Sequence, residues 1–243
     1  PASEGVGGWR LQAWARGSNL RNSSVAVAAN RATTTPANDQ YNTPALGYGL
    51  NGALQGQQGD LAWEIGADAR LADGVTKEKF RFMNGAFTRD RQAGGKTLVA
   101  GAYLEAAYDS GPWLASAGVR VDRSRAYAAL RDERDIATGA LTLNQKTPDR
   151  SDTTPTGRVG LRYEISEALY LRGAGYVGFR PPTLNELHRP FRVGNDITEA
   201  NATLKPETLQ GVELGLGGEG PFRWTTGVFF NRLSDPITNV TIG

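Results

Sequence analysis

A chain of 243 residues has room for one large or two ordinary domains. With 39% hydrophobic residues and a mean hydropathy of −0.42, no segment approaches the ~18 consecutive apolar residues of a membrane helix, whereas a β-barrel, in which only every second residue meets lipid, tolerates such an average. The absence of cysteine removes disulfides, thiolate metal sites and a cysteine nucleophile, and a net charge of +2 with no basic run interleaved with aromatics leaves nucleic acid an unexpected partner.

The chain opens on Pro1 with no basic or apolar leader, which reads as a removed signal peptide or a start within a longer protein. From there a unit recurs: an alternating strand, a short turn, a second strand, a long polar loop. Short turns are expected near Arg16-Gly17-Ser18 and at 56–60, 109–112, 166–168 and 217–221, with long loops at 32–41, 72–95, 127–155 and 180–208. The clearest strand covers 61–71, where Leu61, Trp63, Ile65, Ala67, Ala69 and Leu71 alternate with Ala62, Glu64, Gly66, Asp68 and Arg70. A side-chain period of two puts these sets on opposite faces. Leu98 to Ala106, Trp113 to Val121, Val159 to Ile165 and Phe222 to Phe230 repeat the pattern. Arg120, Asp122, Arg158, Arg162 and Glu164 all fall on the second face, which must be wet.

Alternation by itself does not separate a soluble sheet from a membrane barrel. The ordering of connections points to the barrel, since an up-and-down meander gathers short turns at one rim and long loops at the other, while a Greek-key sandwich has no reason to do so. Tyr108, Trp113, Phe222 and Trp224 beside short turns suit a membrane interface. The expected fold is therefore all-β: an antiparallel up-and-down transmembrane barrel segment of about ten strands, with short periplasmic turns and long extracellular loops.

The stretch Gly178-Phe179-Arg180-Pro181-Pro182-Thr183-Leu184-Asn185-Glu186-Leu187 resembles the Phe-Arg-x-Pro-x-Leu-x-Glu-Leu signature of TonB-dependent outer-membrane receptors. Asn201-Ala202-Thr203-Leu204-Lys205-Pro206-Glu207 is similar to that family's Asn-x-x-Leu-x-Pro-Glu motif, and an alternating strand follows it over 209–216. The signature positions are thus Phe179, Arg180, Pro181, Leu184, Glu186, Leu187, Asn201, Leu204, Pro206 and Glu207. Pro181 and Pro182 cannot donate to a ladder and end the strand before them, and Pro206 keeps Lys205 extended. Glu186 and Glu207 read as loop-ordering acceptors for backbone or Arg groups.

The resemblance implies active import of a scarce solute, most commonly a ferric siderophore, with cobalamin, haem or a glycan as rival cargoes. It also implies the TonB complex and outer-membrane lipid as partners, a small-molecule or metal-chelate ligand, and the outer membrane of a Gram-negative bacterium as location. Family members carry an N-terminal plug and about 22 strands, so residues 1–243 are expected to be one partial barrel domain without the plug. The lumen residues Glu64, Asp68, Arg70, Arg120, Arg158 and Arg162 would face that plug.

Ligand contacts are expected on the long loops. One set is Lys77, Lys79, Phe80, Arg81, Phe82, Arg89 and Arg91, basic and aromatic and suited to an anionic chelate. The other is His188, Arg189, Phe191, Arg192 and Asn195. His188 is the only histidine, and without a second ligand near it no protein metal site is expected. Gly215 to Gly220 satisfies G-x-G-x-x-G, but a strand rather than a helix follows Pro221, so these glycines are turn chemistry. No catalytic motif is present and no cofactor is implied. Two readings compete: a passive porin or adhesin barrel, and a secreted all-β module that would bury Trp63, Trp113 and Trp224 in a core.

Overall fold

The structure, a computed structural model, describes residues 5–193 and 196–238. One ten-stranded antiparallel sheet dominates it. In chain order its strands are β1 (Gly5–Val27), β2 (Thr34–Gln58), β3 (Leu61–Met83), β4 (Ala86–Ser110), β5 (Trp113–Asp135), β6 (Leu141–Thr147), β7 (Arg150–Ser166) and β8 (Leu169–Arg180). Then come a short helix α1 (Leu184–His188), a small hairpin of β9 (Phe191–Val193) and β10 (Asp196–Thr198), and finally β11 (Glu207–Gly218) and β12 (Trp224–Ser234). Each strand pairs with the next in the meander, and β6 lies off the path against β5. Among the described residues β1 and β12 are the free edges, and the sheet is not closed.

This is a single layer with almost no apolar interior. The buried hydrophobic residues are Ala53, Ala93, Ala129 and Leu187 alone among those described. Large apolar side chains face outward instead: Val119 is 62% exposed, Leu214 61% and Val159 60%. A soluble sandwich would hide such a band. Trp113 and Trp224 are exposed and Trp63 is only half-buried, so the three do not form a core. No described helix is long and apolar enough to cross a membrane.

The opposite face is a connected polar surface. Arg10 and the Tyr103 hydroxyl both donate to Glu64, at 3.0 and 2.5 Å. Arg120 donates to Asp68 at 2.6 Å and to both oxygens of Asp122. Arg158 reaches Glu105 at 2.8 Å. Cross-strand register explains these contacts, because Gly101 lies between Asp68 and Asp122 in adjacent strands. A Cβ at Gly101 would collide with the Arg120 and Asp122 side chains, so only glycine lets this charge group lie flat on the sheet.

Four expected connections are corrected. No turn interrupts Arg16-Gly17-Ser18, where β1 runs straight through, paired with Gly47, Leu46 and Ala45. The loops expected at 32–41 and 127–155 are largely strand. The one expected at 72–95 is a long hairpin closed by Asn84 and Gly85, whose φ values of 51° and 83° fit a tight primed turn. Strands of 25 residues, such as β2 and β4, far exceed the about 9–11 residues that cross a bilayer. They rise beyond the apolar band as hairpins polar on both faces, and there alternation fades and mimics a loop. Only 180–208 is mainly non-strand, and it folds back over the polar face.

Candidate functional site

The site is built where this returning loop meets the outer ends of β2 to β5. Pro181 and Pro182 end β8, and Thr183 opens α1 with a reciprocal cap: its hydroxyl accepts from the Glu186 amide at 3.3 Å while its own amide donates to the Glu186 carboxylate at 2.7 Å. Arg180 then ties both ends of the loop together. Its guanidinium donates to Glu207 at 2.5 Å and, through its two terminal nitrogens, to Glu186 at 3.0 and 3.1 Å. Glu207 also accepts from the Ile237 amide at 2.6 Å. Burial pushes the Glu186 carboxyl up, but Arg180 and the Thr183 amide and hydroxyl outweigh it and hold the group below its ordinary value.

Past α1 the loop is fastened by a buried charge cluster. Glu78 on β3 is 1% exposed and accepts from Arg91 of β4 at 2.5 Å, from Arg189 of the loop at 2.7 Å and from the Asn38 amide at 2.7 Å. Arg91 also donates to the Pro190 carbonyl at 2.9 Å and stacks over the Phe80 ring at 4.4 Å. Glu133 on β5 joins Arg91 to Arg131, which reaches Glu199 at 3.2 Å. Arg150 of β7 holds the Leu204 carbonyl at 2.5 Å. Leu187 and His188 are buried beneath, and burial lowers the His188 pKa.

The two expected ligand sets are therefore divided. Arg91 and Arg189 are consumed by Glu78, and Arg89 pairs with Asp135. Phe82 packs edge-on against Phe87 at 5.3 Å. Lys77, Lys79 and Arg81 make no ion pair among the described residues; Lys79 sits 5.7 Å above the Tyr41 ring. Asn195 and the side chains of Phe191 and Arg192 lie outside what the structure describes. Among the described residues no group of three or more His, Cys, Asp or Glu could hold a metal ion.

Glu78, Glu133, Asn38 and Arg131 are central here and were not singled out in the sequence. A signal existed. Glu78 stands six residues before Asn84 and Arg91 six after Gly85, so reading Asn-Gly as a two-residue hairpin tip places the pair opposite each other.

Between the loop and the wall lies a cavity of about 460 Å³, bounded by β2 to β5, by α1 and by Leu204.

The family described as TonB dependent receptor-like, beta-barrel matches residues 4–243. The chain belongs to the TonB-dependent receptor family. Its sheet is similar to solved receptors of low identity: the ferric yersiniabactin uptake receptor FyuA from Yersinia pestis, 14% identical with a TM-score of 0.63, covering 94% of this chain and 34% of that one. The copper transporter OprC gives 17% and 0.67, covering 93% and 37%. The ferric-catecholate import receptor Fiu from K12 E. coli gives 13% and 0.59, covering 93% and 38%. The chain thus spans about a third of the length of these structures, and at such identity the likeness is one of fold. No curated protein matches the sequence.

Within this TonB-dependent receptor barrel, the signature residues serve the loop's architecture. Arg180, Glu186 and Glu207 close it. Asn201 donates its amide to the Glu186 carbonyl at 3.0 Å and accepts from Thr203 through its side chain. Leu184, Leu187 and Leu204 roof the cavity. Glu64, Asp68, Arg120 and Arg158 lie on the polar face together with Arg70 and Arg162.

Proposed function

We propose that this chain forms wall and outer loop of an outer-membrane receptor that imports a scarce nutrient with energy delivered through the TonB complex, and that its cargo is a ferric siderophore. The observation that carries the reading is the returning loop after β8, which the signature residues Arg180, Glu186 and Glu207 fasten and which Arg189 ties to Glu78 over the polar face. The named substrates of two similar structures, ferric yersiniabactin and ferric-catecholate, support iron chelates as the cargo class.

Lys77, Lys79 and Arg81, which make no ion pair among the described residues, are the groups offered to an anionic chelate. A plug domain elsewhere in the parent protein would lie against Glu64, Arg70, Arg120, Arg158 and Arg162. The test is uptake of radioactive iron, supplied as a panel of purified siderophores, by cells expressing the parent receptor. Uptake of one chelate that ceases when TonB is deleted is the expected result. Uptake that continues without TonB would leave the passive barrel in its place.

A further inference from the structure

The cavity under α1 has a chemical character that differs from the charged clasp beside it. Its wall is small and aliphatic, with Ala45, Ala72 and Val99, and its roof is Leu184, Leu187 and Leu204. At about 460 Å³ it falls within the size range of small-molecule pockets. Three charged residues border it, and each is already matched. Arg125 donates to Asp149 at 2.6 Å. Arg150 pairs with Asp152 at 3.1 Å and also donates to the Leu204 carbonyl. No border cation is left to receive an anion, so a charged group entering here would shed water without gaining a counter-ion.

The remaining polar residues of the lining, Thr97 and Ser124 among them, are neutral.

We infer that this cavity receives an uncharged, largely aliphatic limb of the solute. The inference rests on the import reading and adds to it the class of the organic limb, as distinct from the charged centre of a chelate. The loop that roofs the cavity is the same one that Arg180 and Glu78 fasten down, so the pocket persists only while the loop is closed.

The test uses the whole parent receptor in isolated outer membranes. This segment has no cysteine, so Ala72→Cys places one thiol in the cavity wall, and Asn144→Cys places a reference thiol on exposed β6. The rate of modification by methyl methanethiosulfonate is read with and without 1-adamantanol or 1-adamantanecarboxylate, two probes that share one skeleton and differ in charge. The alcohol is expected to slow labelling of Ala72→Cys by about fivefold or more and leave Asn144→Cys unchanged, while the carboxylate protects neither.

Equal or better protection by the carboxylate overturns the proposal. So does an Ala72→Cys thiol that never reacts, which would mean that another part of the receptor fills the space. Protection by the alcohol in a receptor whose uptake ignores TonB would retain the pocket and remove the import reading.

Discussion

Glu78 and Arg189 stand 111 residues apart in the sequence, and the guanidinium of one donates to the carboxylate of the other at 2.7 Å. Because Glu78 also takes Arg91, one buried carboxylate neutralises two arginines from different elements and fixes the returning loop to the wall.

Glu78→Gln should therefore leave Arg91 and Arg189 without their shared counter-charge. Breaking a buried pair by removing one partner costs about 3–5 kcal/mol. The expected outcome is a loop that trypsin cleaves after Arg192 in the folded receptor, the bond after Arg189 being protected by Pro190, with the wall otherwise intact. Unchanged resistance to trypsin would show that the clasp contributes little.

His188 sets a pH dependence. Burial holds its folded-state pKa below the ordinary 6.5, so the undocked loop takes up a proton more readily than the docked one. Stability is then complete above about pH 6.5 and is lost as pH falls through that value towards the folded-state pKa. The melting temperature should drop between about pH 7.5 and pH 5.5, and His188→Gln should flatten that drop. An equal drop in the variant would place the titration elsewhere.

The two faces should respond differently to the same charge. Val119, 62% exposed on the apolar face, becomes an arginine in Val119→Arg at a cost of about 2–4 kcal/mol near the bilayer midplane. Ser116→Arg, on the polar face of the same strand, should cost under about 1 kcal/mol. Urea unfolding of the receptor in lipid vesicles reads both. Comparable small losses would count against lipid contact by the apolar face.

Gly101→Val tests the flat charge group on the polar face. The new side chain would displace Arg120 from Asp122, which is 2% exposed, and overpacking of this kind costs about 1–3 kcal/mol. Gly101→Ala should show a smaller loss. The urea midpoint measures each, and a neutral valine would mean that Arg120 has other room.

What was legible in the sequence followed solvent. Within the membrane one face meets lipid and the other water, so Leu61 to Leu71 and Trp113 to Val121 announce their strands by alternation. Above it both faces are polar, and the extensions of β3 and β4 lose that signature and read as a loop. The false turn at Arg16-Gly17-Ser18 arose because glycine between polar residues suits either a turn or a crowded strand. Glu186 and Glu207 read as loop-ordering acceptors, and both accept from Arg180. Charge alone makes Arg91 and Lys77 look alike, and their aim is legible only through the Asn84-Gly85 tip, whose register sets Arg91 against Glu78 and Lys77 opposite Gln92.

The free edges of the sheet bear on assembly. β1 pairs only with β2 and β12 only with β11 among the described residues, so each presents a row of main-chain donors and acceptors along one side. In hydrocarbon every such unmatched group costs several kcal/mol, far more than any side-chain contact described above could offset. Entry of this wall into a bilayer is therefore an all-or-none event, conditional on strands that cover both boundaries at the moment of insertion.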